Sequence, residues 1–151
     1  MNSFDKKHGY ILIVEEKWWN KFVEYAASKK IQAHVRSKIA GPEQTNLVFF
    51  YVIHPRKEIR GYGEFVERKV GDSKELWNLY GNETCLDSFE EYYKLIKMSK
   101  SVTFIRFQNL HKGINPIPFS TISTILNIER MPRGGMYISE QESNELIRLL
   151  G

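Results

Sequence analysis

Lys30, Arg36, His54, Arg56, Lys57, Arg60 and Arg106, with Tyr62 among them, are side chains whose types suit one shared chemistry. Guanidinium groups pair bidentately with phosphate, and aromatic rings stack on bases. Together they point to an anionic, base-bearing ligand. The same interleaving also occurs on any basic surface, so a solvated face is the competing interpretation. Five of the eight fall within Leu47–Phe65, where an apolar run meets a basic turn and a strand broken by Gly61 and Gly63. Two glycines on one strand face leave bare backbone. That patch is either a sharp bend or a floor on which a planar ligand lies. Trp18 stands off the apolar stripe of its helix, as a core contact or as an aromatic at a cleft mouth. Arg106 lies inside an apolar strand and needs a partner or water. It is a salt-bridged edge residue or a cleft cation.

Catalytic signatures are sparse. Gly61-Tyr-Gly63 is no dinucleotide fingerprint, because Val66 stands where the third glycine belongs. No phosphate-cradling loop and no nucleophile elbow occurs. The histidines at 8, 34, 54 and 111 have neither i, i+4 pairing nor cysteine companions, which argues against a metal. Cys85 reads as a small buried hydrophobe. Glu64, beside the glycines, is a candidate general acid or base, with Lys30 as a candidate catalytic partner. The alternative for Glu64 is a solvated partner of Arg36 or Arg60.

The elements that must position these residues follow from periodicity. His8–Val14 reads as a buried strand. Glu15 to about Lys29 reads as a helix with Trp19, Phe22, Val23 and Ala26 on one face. Ile31–Val35 is a short strand, and Leu47–Ile53 a strand covered on both faces. Ile59–Val70 is a long strand. Asp72 or Ser73 caps a helix that Gly81 ends as a C′ glycine. Ser88 and Glu91 form a capping box for the helix that follows. Ser101–Leu110 is a strand, His111–Pro118 a loop, Phe119–Ile128 a strand and Met131–Met136 a turn. Tyr137-Ile138 is a short strand, and Ser139–Glu142 opens a final helix with a second capping box. The expected class is α+β: a small, largely antiparallel β-barrel with helices at its sides.

The chain has 151 residues, so one domain over 1–151 is the expectation. Its net charge of +4 is concentrated: residues 1–75 hold 14 Lys+Arg against 10 Asp+Glu, and residues 76–151 hold 8 of each. A basic half suits nucleic acid. No apolar run is long enough to span a bilayer, and the N-terminus has no apolar signal core. With a single cysteine, the chain reads as cytoplasmic, without a membrane, metal or cofactor.

Phe50-Tyr-Val-Ile-His54, Glu58-Ile-Arg-Gly-Tyr-Gly-Glu-Phe65, Leu76-Trp-Asn-Leu-Tyr-Gly81 and Gly135-Met-Tyr-Ile-Ser-Glu-Gln-Glu142 resemble DUF365, a mainly archaeal family. Tyr10-Ile-Leu-Ile-Val-Glu-Glu-Lys-Trp-Trp19 is similar to the first strand of EVE domains. The resemblance implies membership of the PUA-like superfamily with ASCH and EVE domains. It implies a pseudo-barrel whose cleft binds RNA or modified bases. ASCH domains carry Gly-x-Lys-x-x-Glu-x-Arg at a helix-to-strand junction. Here Lys30 matches the lysine, Ser28 replaces the glycine, Ala33 replaces the acid, and Arg36 is displaced by one. Some ASCH proteins resemble amidohydrolases that use a Lys, a Thr three residues on, and a Glu. Ala33 occupies the Thr position and has no hydroxyl, which shifts the expectation toward binding. The expected function is thus RNA or modified-nucleotide binding in a basic cleft. Its expected lining is Trp18, Lys30, Arg36, His54, Arg56, Arg60, Gly61, Tyr62, Gly63 and Arg106. The alternatives are a small amidohydrolase of a modified nucleoside and a protein-interaction module.

Overall fold

The computed structural model describes residues 6–151. Six strands form one sheet: β1 (Gly9–Val14), β2 (Ile31–Arg36), β3 (Leu47–Val52), β4 (Glu58–Asp72), β5 (Ser101–Pro118) and β6 (Met136–Ile138). Their order is β2-β5-β4-β3-β1-β6. Only β1 and β3 run parallel, and every other neighbour pair is antiparallel. Among the described residues, five helices accompany the sheet: α1 (Glu16–Tyr25), α2 (Ser73–Tyr80), α3 (Phe89–Leu95), α4 (Phe119–Leu126) and α5 (Glu140–Leu150). None is long and apolar enough to cross a membrane.

Strand alternation sorts side chains onto the two faces of the sheet. Tyr10, Leu12 and Val14 of β1, Val48, Phe50 and Val52 of β3, and Ile105 and Phe107 of β5 bury against Trp19 and Phe22 of α1. The opposite face divides in two. Ile11, Phe49, Tyr51, Ile59 and Ile117 pack with α4 and α5, while Ala33, Val35, Val102 and Phe104 pack with α2 and α3. One sheet therefore carries a helix on one face and helix pairs on the other.

The expected barrel is corrected: the sheet does not close, and β2 and β6 remain its two edges. It does curl. Arg36 on β2 donates to the Ile13 carbonyl of β1 at 3.5 Å, although three strands lie between them in the sheet order. β6 pairs only with Gly9–Ile11, so Leu12–Val14 have no strand on that side. The unclosed seam lies between this end of β1 and β2.

Four local expectations also change. His111–Pro118 is strand, because β5 continues along the whole of the long β4, as far as Glu58↔Pro118. Register shifts in that ladder absorb the irregular residues. Phe119–Leu126 is helix: Ile122 and Leu126, four apart, bury against the sheet, and Asn127 closes the helix in the left-handed region at φ 55. A short apolar run fits either period, and here the packing decided it. Gly81 is not a left-handed stop, since its φ is −56 and the chain continues into a 3-10 turn. It is glycine because a Cβ would meet the Trp77 ring at 2.8 Å. Of the two capping boxes, Ser139 and Glu142 form both reciprocal bonds. Ser88 accepts from Glu91 N, but the Glu91 carboxylate turns to Asp87 N instead.

Candidate ligand cleft at the open seam

A concave cleft of about 760 Å³ occupies the seam. β1 supplies Ile13 and Val14, β2 supplies His34, Val35 and Arg36, and α1 supplies Trp18 just after Glu15. The far wall comes from Tyr51, Ile53 and Lys57 around the β3–β4 turn, Phe119 at the start of α4, and Glu129, Arg130, Met131 and Arg133 in the loop before β6. Two backbone bonds brace that wall. Lys57 N donates to Ile53 O, and Phe119 N donates to Lys57 O at 3.0 Å. Tyr51 and Phe119 meet edge to face at 6.3 Å.

The electrostatics separate these cations from the others. Among the described residues, Arg36, Lys57, Arg130 and Arg133 have no carboxylate at salt-bridge distance. Glu15 and Glu129 are the carboxylates of the lining, so the cleft is net cationic. His34 is 7% exposed, and its ring meets Phe22 edge-on at 5.8 Å rather than a polar group. Burial, reinforced by the Arg36 charge, lowers its pKa to about 3. The ring is therefore neutral at physiological pH, with one N–H donor and one acceptor. Burial also raises the Tyr51 phenol above its ordinary value. A smaller cavity lies behind Trp18, His34, Val35 and Leu95, walled by Phe22, Ala33, Cys85 and Leu86. Burial pushes the Cys85 thiol up to about 11, so it stays protonated.

Of the residues singled out in the sequence, the structure brings Trp18 and Arg36 into this cleft. It places the others elsewhere. Lys30 is exposed at the entry to β2. His54 and Arg56 are exposed in the β3–β4 turn, and of its cations it is Lys57 that lines the cleft. Arg60 is neutralised by Glu16 at 2.7 Å and Glu58 at 2.8 Å. Tyr62 packs between Phe49 and His111, at 5.6 and 5.1 Å, on the α4/α5 side. Gly61 and Gly63 do not leave open backbone. A Cβ on Gly61 would strike the His111 carbonyl and come within 2.6 Å of the Trp19 ring. One on Gly63 would lie 3.2 Å from the Gln108 carbonyl and 3.5 Å from Phe107. The bare patch is covered by the chain's own aromatics. Arg106 follows its salt-bridge reading: it forms a bidentate pair with Glu83 at 2.7 and 2.8 Å, bonds Glu67, and lies over Tyr80 at 4.3 Å. The Glu83 hydrogen bonds hold its pKa above the usual guanidinium value. Glu64 is exposed and accepts from Asn109 at 2.8 Å and Gln108 at 3.4 Å, not from Arg36 or Arg60. Lys30 and Glu64 therefore share no site with the cleft.

Sequence reasoning missed Tyr51, Phe119, Arg130 and Arg133 as lining residues and used His34 only to argue against metal. The available signal was Arg130-Met-Pro-Arg133, a basic turn flanked by apolar segments.

No protein-family model matches the chain, and no curated protein is similar to it in sequence. Its fold does match solved structures. ASCH from Zymomonas mobilis superposes with a TM-score of 0.76 at 19% identity, over 95% of this chain and 96% of that one. Rpa0253 from Rhodopseudomonas palustris gives a TM-score of 0.56 at 11% identity, over 95% of this chain and 93% of that one. The N-terminal domain of Staphylothermus marinus McrB gives 0.51 at 11% identity, over 96% of both chains. From near end to end, the chain has the fold of an ASCH domain.

Proposed function

We propose that this protein binds RNA or a nucleotide-like ligand in the seam cleft, as a PUA-like domain of the ASCH type with DUF365 as its family. One observation carries the reading. Four cations without carboxylate partners among the described residues converge on a concave site that also holds Trp18 and a neutral, buried His34. Unpaired arginines beside a stackable ring suit phosphate and base together. The strongly paired Arg60 and Arg106 serve the fold instead. The ASCH fold supports this reading through the superfamily's association with RNA.

The test is equilibrium binding of a short single-stranded RNA at varied salt. Four neutralised phosphates give a slope near −0.7 per contact, or roughly a 50-fold loss of affinity between 50 and 200 mM salt. Replacing Arg36 and Arg133 by alanine lowers the slope by about 1.4. Absence of binding by RNA and by mononucleotides alike, or an RNA-binding slope untouched by both substitutions, refutes the proposal. A modified-nucleoside amidohydrolase built on Lys30 and Glu64 has no supporting observation here, since Lys30 does not line the cleft and Glu64 is held by Asn109.

A further inference from the structure

We infer that the cleft takes a single nucleotide end-on, base inward against Trp18 and His34 and phosphate outward at Lys57, Arg130 and Arg133. This rests on the reading of the cleft as a nucleotide site and adds its capacity and polarity.

Capacity follows from shape. A volume of about 760 Å³ falls within the roughly 300–1,000 Å³ of sites that bury one small ligand. The cleft is bounded on one side by the edge of β2 and on the other by the end of β1 and the braced Lys57–Phe119 wall.

Polarity follows from how the lining is distributed. Trp18 and His34 mark the inner end: with Val35 and Leu95 they also line the smaller cavity, and all four are buried or half-buried. His34 is more than nine-tenths buried as a residue, but its ring nitrogens are not among the enclosed polar atoms, so the ring presents them to the cleft. A ligand in the cleft can therefore hydrogen-bond the ring in place of water. Its neutral imidazole matches the ring edge of a base, which offers donors and acceptors without charge. A phosphate placed there would be buried beside a neutral ring. The rim differs: Lys57, Arg130 and Arg133 are exposed and face one carboxylate, Glu129. Three cations against one carboxylate retain an anion. Arg36, half-buried between the two ends and held only by the Ile13 carbonyl, can serve the ribose-phosphate junction.

The occupant is either a free nucleoside monophosphate or the terminal or extruded nucleotide of an RNA. The recognition chemistry is the same, and competition separates the two sources. A fluorescein-labelled single-stranded RNA is displaced by AMP, CMP, adenosine or ribose 5-phosphate, using wild type, Trp18→Leu and Arg133→Ala. The expected result is that AMP or CMP displaces the RNA completely, at least tenfold more effectively than ribose 5-phosphate. Trp18→Leu should abolish that advantage. Arg133→Ala should weaken AMP and ribose 5-phosphate alike and leave adenosine unchanged. AMP or CMP binding measured directly by calorimetry, with no measurable affinity for RNA, identifies the free nucleotide as the occupant and supports the inference. If RNA binds with the expected salt slope but no mononucleotide displaces it, the cleft reads a strand and the inference falls while the nucleic-acid reading stands. If ribose 5-phosphate equals AMP, the inward base is refuted. If neither RNA nor nucleotide binds, both readings fall.

Discussion

Lowering the pH from 7 to 5 destabilises this protein through one residue, His34. In the folded state burial sets its pKa to about 3, against 6.5 for an ordinary histidine. Below pH 6.5 the unfolded chain takes up a proton that the folded chain refuses. Stability therefore falls as the pH drops from 6.5 toward 3, and above 6.5 the group contributes no pH dependence. Between pH 7 and 5 the loss is about 2 kcal/mol, or roughly 20-fold in the folding equilibrium. The carboxylates titrate mainly below this window, so histidine dominates it. Urea unfolding followed by tryptophan fluorescence, at both pH values, measures the difference. His34→Leu is close in volume and cannot be protonated, so its stability should change by less than about 1 kcal/mol over the same interval. Comparing the two pH values within each protein cancels any packing change from the substitution. An equal pH-dependent loss in wild type and His34→Leu would refute a neutral, desolvated His34.

Other substitutions test the supporting structure. Gly61→Ala should cost about 1–3 kcal/mol by overpacking, because the His111 carbonyl and the Trp19 ring occupy the Cβ position. Gly63→Ala, whose nearest contact is 3.2 Å, should cost less, and denaturation midpoints rank the two. Arg106→Met strands the largely buried Glu83 and should cost about 3 kcal/mol; adding Glu83→Gln should recover much of it. A double-mutant cycle in urea reads that coupling. Ser139→Ala removes the N-cap of α5 and should cost about 1 kcal/mol. Lys30→Ala and Glu64→Gln lie outside the cleft lining and should leave RNA affinity within twofold of wild type.

Much of the fold was legible because its signals were local. The period of α1, the unbroken apolar run of β3 and the Ser139 capping box each act within one element. The errors arose where a neighbour decided. β5 runs through Gly113 and Pro116 because β4 offers it a ladder along its whole length, with bulges taking up the difference. Phe119–Leu126 coils because its apolar pair at 122 and 126 fits the sheet face. The site was less legible for the same reason. Arg60, Arg106 and Arg36 are alike as lone arginines in β segments; Glu58 lies two residues from Arg60, but Glu16, Glu67 and Glu83, which complete the neutralisation of Arg60 and Arg106, come from other elements. Counting charge by halves hid Arg130 and Arg133 in a segment of zero net charge. The glycine pair looked like a ligand floor because Trp19, distant in sequence, was not known to fill it.

The seam cleft as the ligand site is tested most directly by mapping a bound oligonucleotide onto the amide and indole resonances of the isotopically labelled protein. The account predicts that the Trp18 indole N–H and the amides of His34, Val35, Arg36 and Arg133 shift together and saturate at one affinity. Shifts confined to the exposed surface around Glu64, His54 and Arg56, with Trp18 and β2 unmoved, would contradict it.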